Sequence, residues 1–367
     1  MSILFEPGNI GKLILRNRFI KSSTAESMAG DDGEVTPAML HFYDAIARGG
    51  TGCIFLGHAY VYPSGKAHPR MTGLHKDSLL PGLRSLTETI HRHGGTVFAQ
   101  LNHGGSRVEA GYQEPVGPSE GVHPTTELKA RELTSGEIWE IIEAFGQAAR
   151  RAKEAGFDGV LIHGAHGYLV NLFISPFTNR RADEWGGDSS RRFRFLQEVY
   201  QAIRKAVGNT YPVAIKLGLK DDVEDGLSLE EGVEVGCRLA ELGIDAIEVS
   251  GGLPTKTAGA SRSHIRSRDR EAYFLSYAKA LRPTVGPLPL SLVGGLRSPD
   301  LMEEIIGQGW VDLVSLARPF ICEPDLVTRI RAGRREPLSC LRCDRCRTGF
   351  AREGIRCRRE EPPSGRS

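Results

Sequence analysis

Short apolar runs rich in β-branched residues alternate along the chain with longer stretches whose apolar positions recur at helical spacing. The runs that read as strands are RFIKSST (18–24), GCIFLGHAY (52–60), TVFAQLN (96–102), GVLIHG (159–164), VAIKLGL (213–219), AIEVSG (246–251), LSLVGG (290–295) and VDLVSLA (311–317). Several are apolar at consecutive rather than alternate positions, as strands covered on both faces are. Helix signals stand between them. TPAMLHFYDAIARGG has Thr36 as a cap and Pro37 at the first helical position. TSGEIWEIIEAFGQAARRAKEAG starts at Thr134 or Ser135 and stops at Gly156, and SLEEGVEVGCRLAELG opens at Ser228 and closes at Gly243. Eight such units predict an α/β fold, a (β/α)8 TIM barrel, ahead of an open doubly wound sheet. No repeat or low-complexity linker breaks residues 18 to 331, so 1–335 reads as one barrel domain. Residues 336–367 read as a short cysteine-rich tail, whose end, REEPPSGRS, has no apolar content to fold on and is expected to be disordered.

Composition narrows the partners. The chain has 367 residues, a net charge of +2 and 25% charged residues, so no global field draws it to nucleic acid or to an acidic membrane, and a small molecule is the expected partner. The N-terminus lacks a basic stretch followed by an apolar core, and no apolar run is long enough to span a bilayer, which predicts a cytoplasmic protein. Association into a homo-oligomer is compatible with this composition.

In a barrel of this kind, functional groups belong where strands run into the following loops. Gln100 ends the third strand, His163 the fourth, Lys216 sits in the fifth, Gly251 and Gly252 follow the sixth, Gly294 and Gly295 the seventh, and Arg318 the eighth. Lys216, among apolar neighbours, needs an anion or strong acceptors: either a ligand's or a strand neighbour's carboxylate such as Glu248. Gln100 with Lys216 suits a planar heterocycle with carbonyl and imide groups. The glycine turn LVGGL and Arg318 in LARPF sit where barrels bind phosphate. The segment IHGAHGY, with His163, His166 and Tyr168, has three readings. The histidines ligate a metal, although no third ligand stands at helical spacing; they hydrogen-bond to loops; or they donate to one substrate oxygen, with Tyr168 as a proton source.

The segments LILRNRFIKSST, HFYDAIARGG, FAQLNHGG, GVLIHGAHGYLVNLFISPFTNRRADEWGG, EVSGG, LVGGL and DLVSLARPF together resemble the old yellow enzyme family of FMN-dependent NAD(P)H oxidoreductases, over residues 3 to 331. The resemblance implies that Ser22, Ser23, Thr24 and Ala25 line the flavin ring, that Gln100 and Lys216 bind its pyrimidine edge, and that Gly251, Gly294, Gly295, Ala317 and Arg318 lie along the ribityl and phosphate. It implies that His163 and His166 hold the substrate carbonyl and that Tyr168 donates the proton. Ala25 stands where relatives often place a threonine or cysteine that tunes the flavin, and Ser27 near where some offer a tyrosine to the substrate. The implied activity is reduction of the activated C=C bond of an enone or dienoyl substrate, with FMN as cofactor and NADH or NADPH as electron donor.

The tail segment CLRCDRCRTGFAREGIRC places Cys340, Cys343, Cys346 and Cys357 in the spacing C-x2-C-x2-C-x10-C. The dienoyl-CoA reductase and trimethylamine dehydrogenase branch has a similar, more widely spaced cysteine motif after its barrel, which points to a [4Fe–4S] cluster, with a four-thiolate zinc or unliganded thiols as alternatives. Two other functions therefore stand beside the ene-reductase: an iron–sulfur flavoprotein dehydrogenase or demethylase, and a non-redox barrel for a phosphorylated ligand with a zinc tail.

Overall fold

A computed structural model describes residues 2–256, 261–347 and 353–359. Eight parallel strands form its centre: β1 (Phe19–Lys21), β2 (Cys53–Phe55), β3 (Thr96–Asn102), β4 (Gly159–Gly164), β5 (Val213–Gly218), β6 (Ala246–Ser250), β7 (Leu290–Val293) and β8 (Leu313–Leu316). Each pairs with its sequence neighbour, and β8 pairs with β1, so the sheet closes into the expected TIM barrel. Helices α1 (Pro37–Arg48), α2 (Leu80–His91), α3 (Ser135–Glu154), α4 (Ser189–Val207), α5 (Leu229–Glu241), α6 (Leu275–Val285) and α7 (Pro299–Gly307) connect the strands, and α8 (Leu326–Arg331) follows β8.

The helix starts lie where local chemistry puts them. Thr36 Oγ1 accepts from the backbone N–H of Met39 ahead of Pro37. Thr134 and Ser228 each form a reciprocal capping box with the glutamate three residues on, Glu137 and Glu231. Such caps each contribute about 1 kcal/mol.

Two apolar layers hold the barrel. Outside, Ile54, Val97, Val160, Ile215 and Ile247 pack with helix residues such as Ile46, Phe145 and Leu239. Inside, Ile20, Cys53, Phe98, Leu161, Ala214, Ala246 and Leu313 fill the floor, which an N-terminal hairpin (Gly8–Ile10 with Leu13–Leu15) closes through Ile10 and Leu15. That hairpin was not foreseen from the sequence. Removing a floor side chain, as in Leu161→Ala, should cost about 2–5 kcal/mol.

Two excursions depart from the strand–helix alternation. The run 52–60 splits: Cys53–Phe55 is the barrel strand β2, while Ala59–Tyr60 is a separate short strand that pairs with the end of β3 at Leu101–Asn102 and with Thr72–Gly73. Between β3 and α3 the chain makes a small sheet from Val116–Gly117, Gly121–Val122 and Lys129–Glu132 beside the barrel mouth.

Candidate active site

Side chains on a strand alternate between its faces, and register neighbours on parallel strands point the same way. Two residues above the floor, the same inward-facing rows carry polar groups. Gln100 follows Phe98, His163 follows Leu161, Lys216 follows Ala214, Glu248 follows Ala246, and Ser22 and Ser315 follow Ile20 and Leu313. The pairings His163 with Lys216, Lys216 with Glu248, and Glu248 with Ser291 set these side by side. One step along each strand thus turns an apolar plug into a polar platform. Above it opens a cavity of about 430 Å³.

The cavity brings together most of the residues expected to form the site: Ser22, Ser23, Thr24, Ala25, His166, Tyr168, Lys216, Gly294, Gly295, Ala317 and Arg318 all line it. Gln100, His163 and Gly251 do not. Gln100 and His163 lie in the platform, and the Gly251 carbonyl accepts the backbone N–H of His166 at 3.3 Å. Gly294 and Gly295 have φ of 137° and 82°, which lets the backbone turn at the cavity wall under the Tyr273 ring. Ser27 turns away, its hydroxyl donating to the Pro69 carbonyl at 3.1 Å.

Lys216 meets both readings of its environment. Its ammonium lies 2.7 Å from the Glu248 carboxylate and 2.9 Å from Ser22 Oγ, and it also borders the cavity. Gln100 Nε2, His163 Nδ1, Ser315 Oγ and Glu248 Oε1 are buried without a hydrogen-bond partner. Leaving such groups unpaired is costly, so the platform is built to meet a polar ligand.

The loop after β4 is clamped from every side. Arg107 donates to the His166 carbonyl and stacks 5.0 Å over the Tyr168 ring. His123 Nε2 donates to the Gly167 carbonyl at 3.2 Å, while Asn171 Oδ1 accepts from the Gly167 N–H at 2.8 Å. His166 adopts φ 65° and its Nε2 meets Ser250 Oγ at 2.8 Å. The His163 ring centroid lies 5.2 Å from that of His166 and 4.7 Å from that of Tyr168. Burial, with the positive charge of Lys216 and Arg107 nearby, pushes both histidine pKa values well below the ordinary range, so both are neutral and each carries one N–H. Burial likewise brings His123 down to about 4.

A second imidazole pair escaped the sequence reading. His68 Nδ1 lies 2.8 Å from the Pro69 carbonyl, which only accepts, so this nitrogen carries the proton. His68 Nε2 is then an acceptor for His58 Nε2–H at 3.0 Å, and His58 Nδ1 accepts from the Asn102 amide at 3.0 Å. One carbonyl therefore sets the tautomer of both rings. His58 stands edge-on to Tyr168, with centroids 5.0 Å apart, and His68 lines the cavity. These residues lie on the loop after β2, where GHAY read simply as strand.

The tail folds back over the mouth: Arg342, Asp344, Cys346 and Ile355 are cavity walls, and Asp344 pairs with Arg318. Cys340, Cys343, Cys346 and Cys357 border one small adjoining cavity together with a fifth cysteine, Cys322, which hydrogen-bonds to Cys357. Burial pushes the Cys346 thiol up to about 11 and the Cys322 thiol to about 12. Among the described residues, no three His, Cys, Asp or Glu side chains stand close enough to hold a single metal ion. The stretches 348–352 and 360–367, which include much of the expected disordered end, lie outside the described residues.

An eight-stranded barrel whose mouth holds a polar platform, a glycine turn and an arginine is the frame of a flavin oxidoreductase. Residues 3–336 match the NADH:flavin oxidoreductase / NADH oxidase family, and the chain belongs to it. It is 37% identical over 346 residues to the NADH oxidase of Thermoanaerobacter brockii, covering 93% of this chain and 52% of that protein. To the cinnamate reductase of Clostridium sporogenes it is 31% identical, covering 93% of this chain and 54% of the relative. The solved structure of 2-naphthoyl-CoA reductase with 2-naphthoyl-CoA superposes with a TM-score of 0.86 at 30% identity, over 95% of this chain and 54% of that one. The chain thus spans about half the length of these relatives. No helix among the described residues is long and apolar enough to cross a membrane.

The residues present fit FMN, the cofactor the family implies. The unpartnered Gln100 amide and the Lys216 ammonium suit the polar edge of a flavin ring, and Arg318 at the glycine turn suits its phosphate. The four tail cysteines and Cys322 border one small cavity with Arg318, Arg342, Arg358 and Arg359, but burial raises the thiol pKa values of Cys340 and Cys346, and among the described residues no three of the cysteines converge on one point.

Proposed function

We propose that this protein is an FMN-dependent NAD(P)H oxidoreductase that reduces the C=C bond of α,β-unsaturated carbonyl compounds. The observation that carries the reading is the neutral His166 and Tyr168 in the cavity wall, with the buried, neutral His163 ring 5.2 Å and 4.7 Å from theirs. FMN, held by Gln100, Lys216 and Arg318, would supply hydride chemistry, with NADH or NADPH as the source of the electrons. His163 and His166 orient the substrate carbonyl and stabilise the charge that develops on its oxygen as the β-carbon is attacked. Tyr168, fixed between the Arg107 guanidinium and the His58 edge, gives its phenolic proton to the α-carbon. Lys216 brings positive charge to the cavity, where it would stabilise negative charge on a bound flavin, and the closed floor excludes water from below.

The tail supports an addition to this reading: Cys340, Cys343, Cys346 and Cys357, which border one cavity beside the mouth, would hold a [4Fe–4S] cluster, and such a cluster would supply one-electron transfer to the flavin site. This favours the iron–sulfur flavoprotein version over a non-redox barrel.

The test is the visible spectrum of anaerobically purified protein, followed by NADH or NADPH and a cyclic enone with product analysis. Flavin absorption with saturated ketone as product supports the proposal. A colourless protein that takes up no FMN, or a flavoprotein that oxidises NAD(P)H but leaves the enone unreduced, contradicts it.

A further inference from the structure

Beyond Arg331 the chain returns to the barrel mouth as a strap. Leu338 exchanges backbone and side-chain hydrogen bonds with Arg297, the His264 N–H donates to the Arg342 carbonyl at 3.0 Å, and the Ile355 N–H donates to the Glu26 carbonyl at 2.8 Å. These anchors bring Arg342 into the wall of the main cavity beside Gly294, Gly295 and Arg318.

Arg342 is costly there. It is 5% exposed, its backbone sits at φ 52° in the left-handed region, and its Nε has no hydrogen-bond partner. Its Nη2 donates to the Leu296 carbonyl at 2.5 Å, but among the described residues no carboxylate lies within ion-pairing distance of it. The nearby carboxylates are engaged. Asp344 pairs with Arg318 and accepts from Ser263 Oγ at 2.5 Å, and Glu271 accepts from the Arg297 and Ser298 N–H groups and Ser298 Oγ. Two buried guanidinium groups thus face the cavity with one ion-paired carboxylate between them. Charge this poorly balanced is destabilising unless an anion completes it.

We propose that Arg342 is a second phosphate-binding guanidinium, supplied by the tail, which with Arg318 clamps the 5′-phosphate of the flavin. This rests on the FMN reading above. A phosphate monoester carries about −1.5 to −2 at neutral pH, enough to balance both guanidinium groups, and its three oxygens accept from two forks at once. Asp344 then serves as the stand-in anion on Arg318. The strap thereby becomes part of the cofactor site, and selects FMN over the unphosphorylated flavin.

The test is titration of deflavinated protein with FMN and with riboflavin, followed by flavin fluorescence. Arg342→Gly removes the guanidinium while suiting the left-handed backbone, and Arg342→Gln keeps a polar side chain. Both should weaken FMN by about 10- to 100-fold and leave riboflavin affinity unchanged. FMN affinity within twofold of wild type in both variants overturns the clamp. Equal losses for the two flavins overturn it as well, because they mean that Arg342 only holds the strap. If wild-type protein binds neither flavin, the FMN reading itself has failed, and the clamp with it.

Discussion

Replacing Lys216 by methionine separates two things that one ammonium does. Its Nζ is 2.7 Å from the Glu248 carboxylate, with both side chains no more than 3% exposed, and it also lies against the cavity. Lys216→Met keeps the length but leaves a buried carboxylate unpaired, and Glu248 Oε1 already lacks a hydrogen-bond partner. Breaking a buried pair in this way costs about 3–5 kcal/mol. Adding Glu248→Gln removes the stranded charge and should recover most of that stability in urea denaturation of the apoprotein. It does not restore a cation under the flavin. A hydrogen bond to a charged group contributes about 1.5–3 kcal/mol, so the double variant should still bind FMN about 10- to 150-fold more weakly than wild type. If the double variant matches wild type in FMN affinity, Lys216 is a structural ion pair and has no place in the cofactor site.

Three further outcomes follow from the same geometry. His58, His163 and His166 are held neutral by burial, and His103 is pushed down to about 3 by the same cause, so in each the folded pKa lies below the unfolded one. The unfolded chain then binds more protons below about pH 6.5; stability is full above that pH and should fall as the pH drops from there, each histidine contributing up to about 1.4 kcal/mol per pH unit. Urea midpoints that stay flat from pH 7 to 5 would contradict this. Cys343→Ser should abolish iron and labile sulfide in anaerobically purified protein while leaving the barrel's circular dichroism intact, and a wild-type protein containing only zinc would refute the cluster. His123→Ala removes the donor to the Gly167 carbonyl, so it should lower enone turnover more than FMN affinity, because it loosens the loop that carries His166 and Tyr168.

Much of this molecule was legible along the chain. The eight strands and the caps at Thr36, Thr134 and Ser228 follow from periodicity and local hydrogen bonding, both of which operate within a few residues. The platform was half visible: Lys216 and Gln100 stood out as polar residues in apolar runs, but which face they shared depended on the register between strands, which no single segment contains. The clamp on the 163–168 loop was hidden for the same reason, since Arg107 and His123 come from the excursion after β3. The His58–His68 pair depends on a carbonyl at Pro69 that fixes two tautomers, a matter of orientation rather than residue type. Cys322 and Arg342 joined the site only when the tail folded back, a long-range contact that neither spacing nor composition encodes.

The central claim, that Tyr168 is the acid in a flavin-dependent alkene reduction, is tested most directly by rapid mixing of both half-reactions in wild type and Tyr168→Phe. Phenylalanine keeps the ring against Arg107 and His58 and removes only the proton. NAD(P)H oxidation, and binding of a phenol whose oxygen takes the place of the substrate carbonyl at His163 and His166, should therefore survive, while reduction of a cyclic enone slows by about 10²–10⁴-fold. A Tyr168→Phe protein that reduces the enone at the wild-type rate would mean that the proton comes from elsewhere and would contradict the account.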